Sequence, residues 1–185
     1  MNFLHFIKRD KMSISEDSYK NMVETLRLGI NGTPSTKEFP NKGPQHASIV
    51  LSNIFEIATK EINMLTGNLD ATVIKKDFMT ALTSFLGKEN TVLNIIFTDG
   101  TLMNKDIVEQ LKKFENVNMF NAPNDMNSKY LSGENFHFTV ADKSMFRFET
   151  DTDKFKAWCS FNSPNKATSL NNLFEKIKTG AEEKK

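Results

Sequence analysis

The chain has 185 residues, a net charge of +1 and a balanced mix of 38% apolar and 25% charged residues, the size and composition of one ordinary globular domain. So small a charge excludes a whole-molecule field that would draw in a polyanion, and nucleic-acid binding would need a local basic patch, which no run of residues supplies. The single Cys159 excludes an internal disulfide and has no ligand partner at zinc spacing, which suits a reducing, cytoplasmic setting.

The start, "MNFLHFIKRDKM", puts its apolar residues before Lys8, Arg9 and Lys11, the reverse of a secretory signal, and reads as a packing arm or frayed end. No later stretch approaches the roughly 20 apolar residues that a membrane helix needs, so no membrane insertion is expected.

Residues 14–28 set Tyr19, Met22, Val23 and Leu26 at helical spacing, with Ser13 or Ser15 to cap the start and Gly29 the end. "NGTPSTKEFPNKGP" follows, rich in proline, glycine and small polar residues, and reads as a loop or linker. Residues 1–43 are therefore expected to be an N-terminal helix and linker, 44–180 the main domain and 181–185 a disordered tail.

From residue 45 to 60, Ile49, Val50, Ile54, Phe55 and Ile57 share a broad helical face, and "EINMLTG" then turns to strand character. The pattern repeats. "TVIKKDFMTALTSFLG" predicts a helix with Phe78, Leu82, Phe85 and Leu86 inward, and "TVLNIIFTDG" an apolar strand covered on both faces. Residues 102–114 predict a helix bearing Met103, Ile107, Leu111 and Phe114, "NVNMFNA" a short strand, and "PNDMNSKYLSG" a polar loop.

"GENFHFTVADKSMFRFET", residues 133–150, predicts a hairpin of clean alternation: Asn135, His137, Arg147 and Glu149 on one face, Phe136, Phe138, Phe146 and Phe148 on the other. A three-residue loop sets Phe138 opposite Phe148 and Val140 opposite Phe146, whereas a two-residue loop would oppose Phe138 to Arg147. Aromatic matching selects the first, which places His137 across from Glu149 and Thr139 across from Arg147. A solvated cluster on an exposed sheet face is the alternative to a site.

"KAWCSFN" predicts a last strand with Cys159 and Phe161 in the core, and Ser163 and Pro164 open a helix over 165–178 with Ala167, Leu170, Phe174 and Ile177 inward. The fold class that follows is α/β, a mixed β-sheet with helices on both faces, preceded by an N-terminal helix.

Residues 135, 137 and 142 reproduce the spacing H-x-K-x4-D as Asn135-x-His137-x4-Asp142, and "CSFNSP" offers Ser160-x-Asn162 before a helix. With the order of elements over about residues 44–178, these motifs resemble the phospholipase D superfamily in degenerate form. In that family the motif His attacks phosphorus, a second His protonates the leaving group, and the Lys and Asn hold the phosphoryl oxygens.

The resemblance implies ligand contacts at Asn135, His137, Asp142, Ser160 and Asn162, with no metal and no cofactor, and the polar face of the hairpin adds Arg147 and Glu149. Asn135 stands where the nucleophile would be, and an amide neither attacks phosphorus nor shuttles a proton. His137 is the catalytic candidate only if activity survives, displaced by about 7 Å along the strand; otherwise it is a phosphate donor. Arg147 adds a fork suited to phosphate.

One motif per chain, where the family's site takes two, implies a homodimer. The expected function is a catalytically degenerate phospholipase D-like domain that binds a phosphate-bearing ligand, nucleic acid or a protein partner. The alternatives are a metal-independent phosphodiesterase or nuclease using His137, and an interaction or adaptor module with no ligand site. Elsewhere, His46 reads as a surface or capping residue, His5 as incidental, Asp99-Gly100 as a turn, and Lys75, Lys76, Lys112 and Lys113 as solvated helix faces.

Overall fold

Strand β3 (Val92–Phe97) is a run of apolar residues because both of its faces are covered: it lies inside an eight-stranded mixed sheet of order β1-β7-β6-β5-β2-β3-β4-β8 among the described residues. The computed structural model describes residues 14–98 and 104–183. His5, Met103 and the Asp99-Gly100 turn lie outside them.

Strand β2 (Glu61–Thr66) pairs in parallel with β3, and β3 with β4 (Val117–Asn121). The connections between them carry helices α3 (Lys76–Leu86) and α4 (Lys105–Leu111), as parallel neighbours require. Helix α3 starts four residues later than its periodicity predicts. Asp70 closes a turn first, its Oδ1 accepting from the Thr72 N–H at 2.7 Å and the Thr72 hydroxyl at 2.6 Å.

The other half of the sheet is antiparallel. Strand β5 (His137–Ala141) joins β2 to β6 (Met145–Asp151), β6 pairs with β7 (Lys156–Ser160), and β7 with β1 (Phe39–Asn41). The hairpin closes through three residues in the expected register, His137 opposite Glu149 and Phe138 opposite Phe148.

Helix α1 (Glu16–Leu28), capped by the Ser15 side chain on the Ser18 N–H, packs with α2 (Pro44–Ile57) and α3 on one face. There Val23, Val50, Ile54, Phe55, Phe85 and Ile95 are essentially inaccessible. The other face carries α5 (Met126–Tyr130) and α6 (Pro164–Thr179), whose Phe174 and Ile177 close over Phe138, Val140 and Phe146. Fully burying each such side chain contributes about 1.5–3 kcal/mol. Apolar residues alternating on β5 and β6 thus feed two opposed layers.

Three short elements depart from the sequence reading. The stretch read as linker contains β1, which with the Tyr19 hydroxyl's 3.0 Å bond to the Pro40 carbonyl ties residues before 44 to the same sheet. Helix α5 stands where a loop is expected, held by buried Met126. Residues 182–183, expected to be disordered, form β8 against β4. His46, expected to be a surface or capping residue, stacks on Tyr19 with ring centroids 3.5 Å apart, and its Nδ1 accepts from the Lys42 N–H just before α2 at 3.4 Å.

A candidate ligand cavity at the ends of the parallel strands

Antiparallel pairing sets Leu65 of β2 opposite Phe138 of β5, so His137 enters the sheet where β2 leaves it. Beyond the carboxyl ends of β2 and β3, the usual place for a ligand in an open α/β sheet, lies a cavity of about 330 Å³. Its polar wall includes Thr66, Asn68, Asp70, Thr98, Asn135, His137, Arg147, Glu149, Thr152 and Asp153; its apolar wall includes Leu51, Leu69, Val73, Ile74, Phe78 and Phe155.

The alternation of β5 and β6 puts His137, Arg147 and Glu149 on one face, and their contacts form a chain. His137 Nδ1 lies 3.1 Å from Glu149 Oε2, and an Arg147 Nη2–H donates to Glu149 Oε1 at 2.7 Å. Arg147 Nε–H donates in turn to Asn41 Oδ1 at 2.7 Å. Asn41 reaches it across β7 because the strand offers only Ala157 and Cys159 on that face. Both charged residues are deeply buried, Arg147 at 5% exposure and Glu149 at 4%, so each holds the charge of the other in a setting where an unpaired ion would be strongly destabilising.

Burial pushes the Glu149 carboxyl up, but the hydrogen bond from His137 and the adjacent Arg147 charge outweigh it and leave its pKa below the ordinary carboxylate value. An ionised carboxylate only accepts, so the proton between the pair sits on His137 Nδ1. Nε2 then faces the cavity beside Gly67, where a side-chain carbon would stand 3.3 Å from it. Cys159, fully buried behind Arg147, has its thiol pushed up to about 12 by burial, against the lowering effect of Arg147; it is a core residue, as expected.

The seven residues singled out in the sequence divide between the two ends of the sheet. Asn135, His137, Arg147 and Glu149 line the cavity, Asn135 at its exposed rim with its Nδ2 3.5 Å from Thr152 Oγ1. Asp142 does not join them, because the four intervening residues are strand β5 itself and carry it to the far end. There its carboxylate accepts from the N–H groups of Thr59, Lys60 and Glu61 and from the Thr59 hydroxyl.

Ser160 and Asn162 are also remote. In β7 it is Cys159 that pairs with Arg147, so Ser160, opposite Phe146, turns to the α6 side. Its Oγ accepts from the Asn162 N–H at 3.2 Å, and the Asn162 side chain donates to the Pro34 carbonyl at 3.1 Å. The single cradle of seven expected from the motif and the hairpin face is therefore a cavity of four, with Asp142 bonded to residues 59–61 and Ser160 and Asn162 bonded to each other away from it. Arg147, expected to hold out a free fork, has its Nε and one Nη occupied.

Sequence reasoning missed Asn41, Gly67, Asn68, Asp70 and Asp153. Gly67-Asn68 directly after a strand was the available signal for three of them, since such junctions line ligand crevices. It also missed a buried amide ladder, in which Asn118 donates to Asn94, Asn94 to Asn63 and Asn63 to Asn171 of α6, each at 2.8 Å. Among the described residues no His, Cys, Asp and Glu side chains gather as a metal-binding group, and no helix is long and apolar enough to cross a membrane.

The fold is that of the phospholipase D-like structures. NucT from Helicobacter pylori superposes with a TM-score of 0.60 at 12% identity, over 80% of this chain and 99% of that one. Nuc from Salmonella typhimurium, a phospholipase D family member, gives 0.57 at 14% identity over 80% and 99%. The phosphatidylserine synthase of Haemophilus influenzae Rd KW20 gives 0.55 at 11% identity over 85% of this chain and 44% of that one. No family model and no curated protein sequence matches the chain. At these identities the likeness is one of fold.

Proposed function

We propose that the chain is a phospholipase D-like domain that has kept a ligand cavity and lost phosphoryl transfer, working as a cytoplasmic binding module. One observation carries the reading: the position that the motif spacing assigns to an attacking imidazole is Asn135, at the cavity rim and within reach of Thr152 Oγ1. An amide can donate to or accept from a ligand but forms no phosphoryl intermediate. His137, Glu149 and Arg147 then serve as a rigid floor for a bound ligand, each held by the next.

The test is hydrolysis of bis(p-nitrophenyl) phosphate and of plasmid DNA by the purified chain without added metal. The expected result is no product above the buffer blank. Turnover that His137→Ala abolishes would replace this reading with a metal-independent phosphodiesterase, a second reading favoured by the Nδ1 contact to Glu149, which leaves Nε2 toward the cavity. The motif analogy also carries a homodimer into the proposal, its two-fold axis bringing the motif faces of two copies together; native mass measurement would give twice the chain mass.

A further inference from the structure

We infer that the cavity takes a ligand with a cationic, N–H-donating head group and an apolar body, and does not take an anion; this rests on the binding reading above and names its ligand class. Arg147 is the only arginine or lysine among the described residues lining the cavity. Its charge is matched by Glu149 at 2.7 Å and its Nε is taken by Asn41. A phosphate would therefore meet no cation among the described lining residues that lacks a carboxylate partner.

The charge left unmatched has the opposite sign. Asp70 gives one carboxylate oxygen to Thr72, while its second has no partner among the described residues, and exposed Asp153 has no ion pair among them. These two carboxylates, with Glu149 and Arg147, are the acidic and basic side chains that line the cavity with His137 among the described residues. A cleft lined by uncompensated charge of one sign concentrates ligands of the other.

His137 points the same way. The tautomer that this contact selects, with its proton on Nδ1 and directed at Glu149, presents Nε2 as an acceptor, which calls for a donor. The apolar wall formed by Leu69, Val73, Ile74 and Phe78 suits a hydrocarbon or aromatic body, and the volume of about 330 Å³ lies at the small end of ligand sites.

The experiment is calorimetric titration of the full chain at about pH 8, where an aliphatic amine is still protonated, with 2-phenylethylamine and, separately, phenyl phosphate. The amine is expected to bind saturably and the phosphate to bind at least tenfold more weakly; Asp153→Asn, at an exposed site, and Asp70→Asn, which keeps the acceptor for Thr72, should together weaken the amine about tenfold. Phenyl phosphate binding as well as the amine, no amine binding at about 10 mM, or an unchanged affinity in the folded double variant would each overturn the inference. Failure of the amine without phosphodiester turnover leaves the binding reading standing; turnover removes that reading itself.

Discussion

Asn41 accepts a 2.7 Å hydrogen bond from Arg147 Nε across the intervening strand β7, joining residues 106 positions apart. The amide gives the buried guanidinium an acceptor that Glu149 does not provide. Asn41→Ala should leave a charged donor unsatisfied in the core, lowering stability by about 1–3 kcal/mol. Urea unfolding of the two proteins measures it; equal midpoints and slopes would show that the bond contributes nothing.

Gly67 is needed for the space it leaves. A methyl at this position would lie 3.2 Å from His137 Cε1 and 3.3 Å from Nε2, so Gly67→Ala should push the ring away from the β2 end and lengthen its contact to Glu149. The expected stability loss is about 1 kcal/mol, at the low end for overpacking. The imidazole ¹⁵N resonances of His137 should shift as the hydrogen bond weakens. Unchanged resonances would refute the close approach.

Glu149 gives the protein part of its acid sensitivity. Its folded-state pKa is lowered from 4.5, the net result of burial opposed by His137 and Arg147, so the unfolded chain takes up this proton first as pH falls. The stabilisation is complete above that ordinary value and is lost as pH drops through the lower folded one. Glu149→Gln removes this slope but leaves Arg147 buried without its counter-charge, a change that costs about 3–5 kcal/mol at neutral pH. Denaturant unfolding at about pH 6 and about pH 3 should show a smaller difference for the variant than for the native chain.

Asp142, remote from the cavity, is a structural clamp. Its backbone is left-handed at φ 50°, and its carboxylate takes four hydrogen bonds of 2.8–3.0 Å from residues 59–61. Asp142→Ala should cost at least about 2 kcal/mol, and Asp142→Asn, which tolerates the same backbone and keeps one acceptor, should recover part of it. Amide hydrogen exchange at Thr59, Lys60 and Glu61 should accelerate in the alanine variant. Protection equal to that of the native chain there would sink the assignment.

The hairpin was legible because its information is local. Phe138, Phe148, Val140 and Phe146 fit one another in only one register, and period-two geometry then carries His137, Arg147 and Glu149 onto the opposite face together. The end caps of α1 were legible for the same reason, Gly29 and one of two candidate serines, of which Ser15 caps, acting within one turn of the backbone they satisfy. Strand β1 was hidden by Pro40, which an edge strand accommodates because it need not donate on both sides. Helix α5 and strand β8 have five and two residues, too few for a periodic signal; packing and pairing with distant segments hold them.

Alternating side chains and helix periodicity by themselves determined the α/β layering, the hairpin pairing and the company of His137, Arg147 and Glu149, since each depends on bond geometry over a few residues. Only the tertiary structure decided which of the seven candidate residues meet. The run from 137 to 142 is a strand with two ends, so Asp142 is carried away from the cavity, and the turn between β6 and β7 leaves Ser160 on the other face. Folding across the chain brings Asn41 and Gly67 in instead, residues that no local pattern connects to His137.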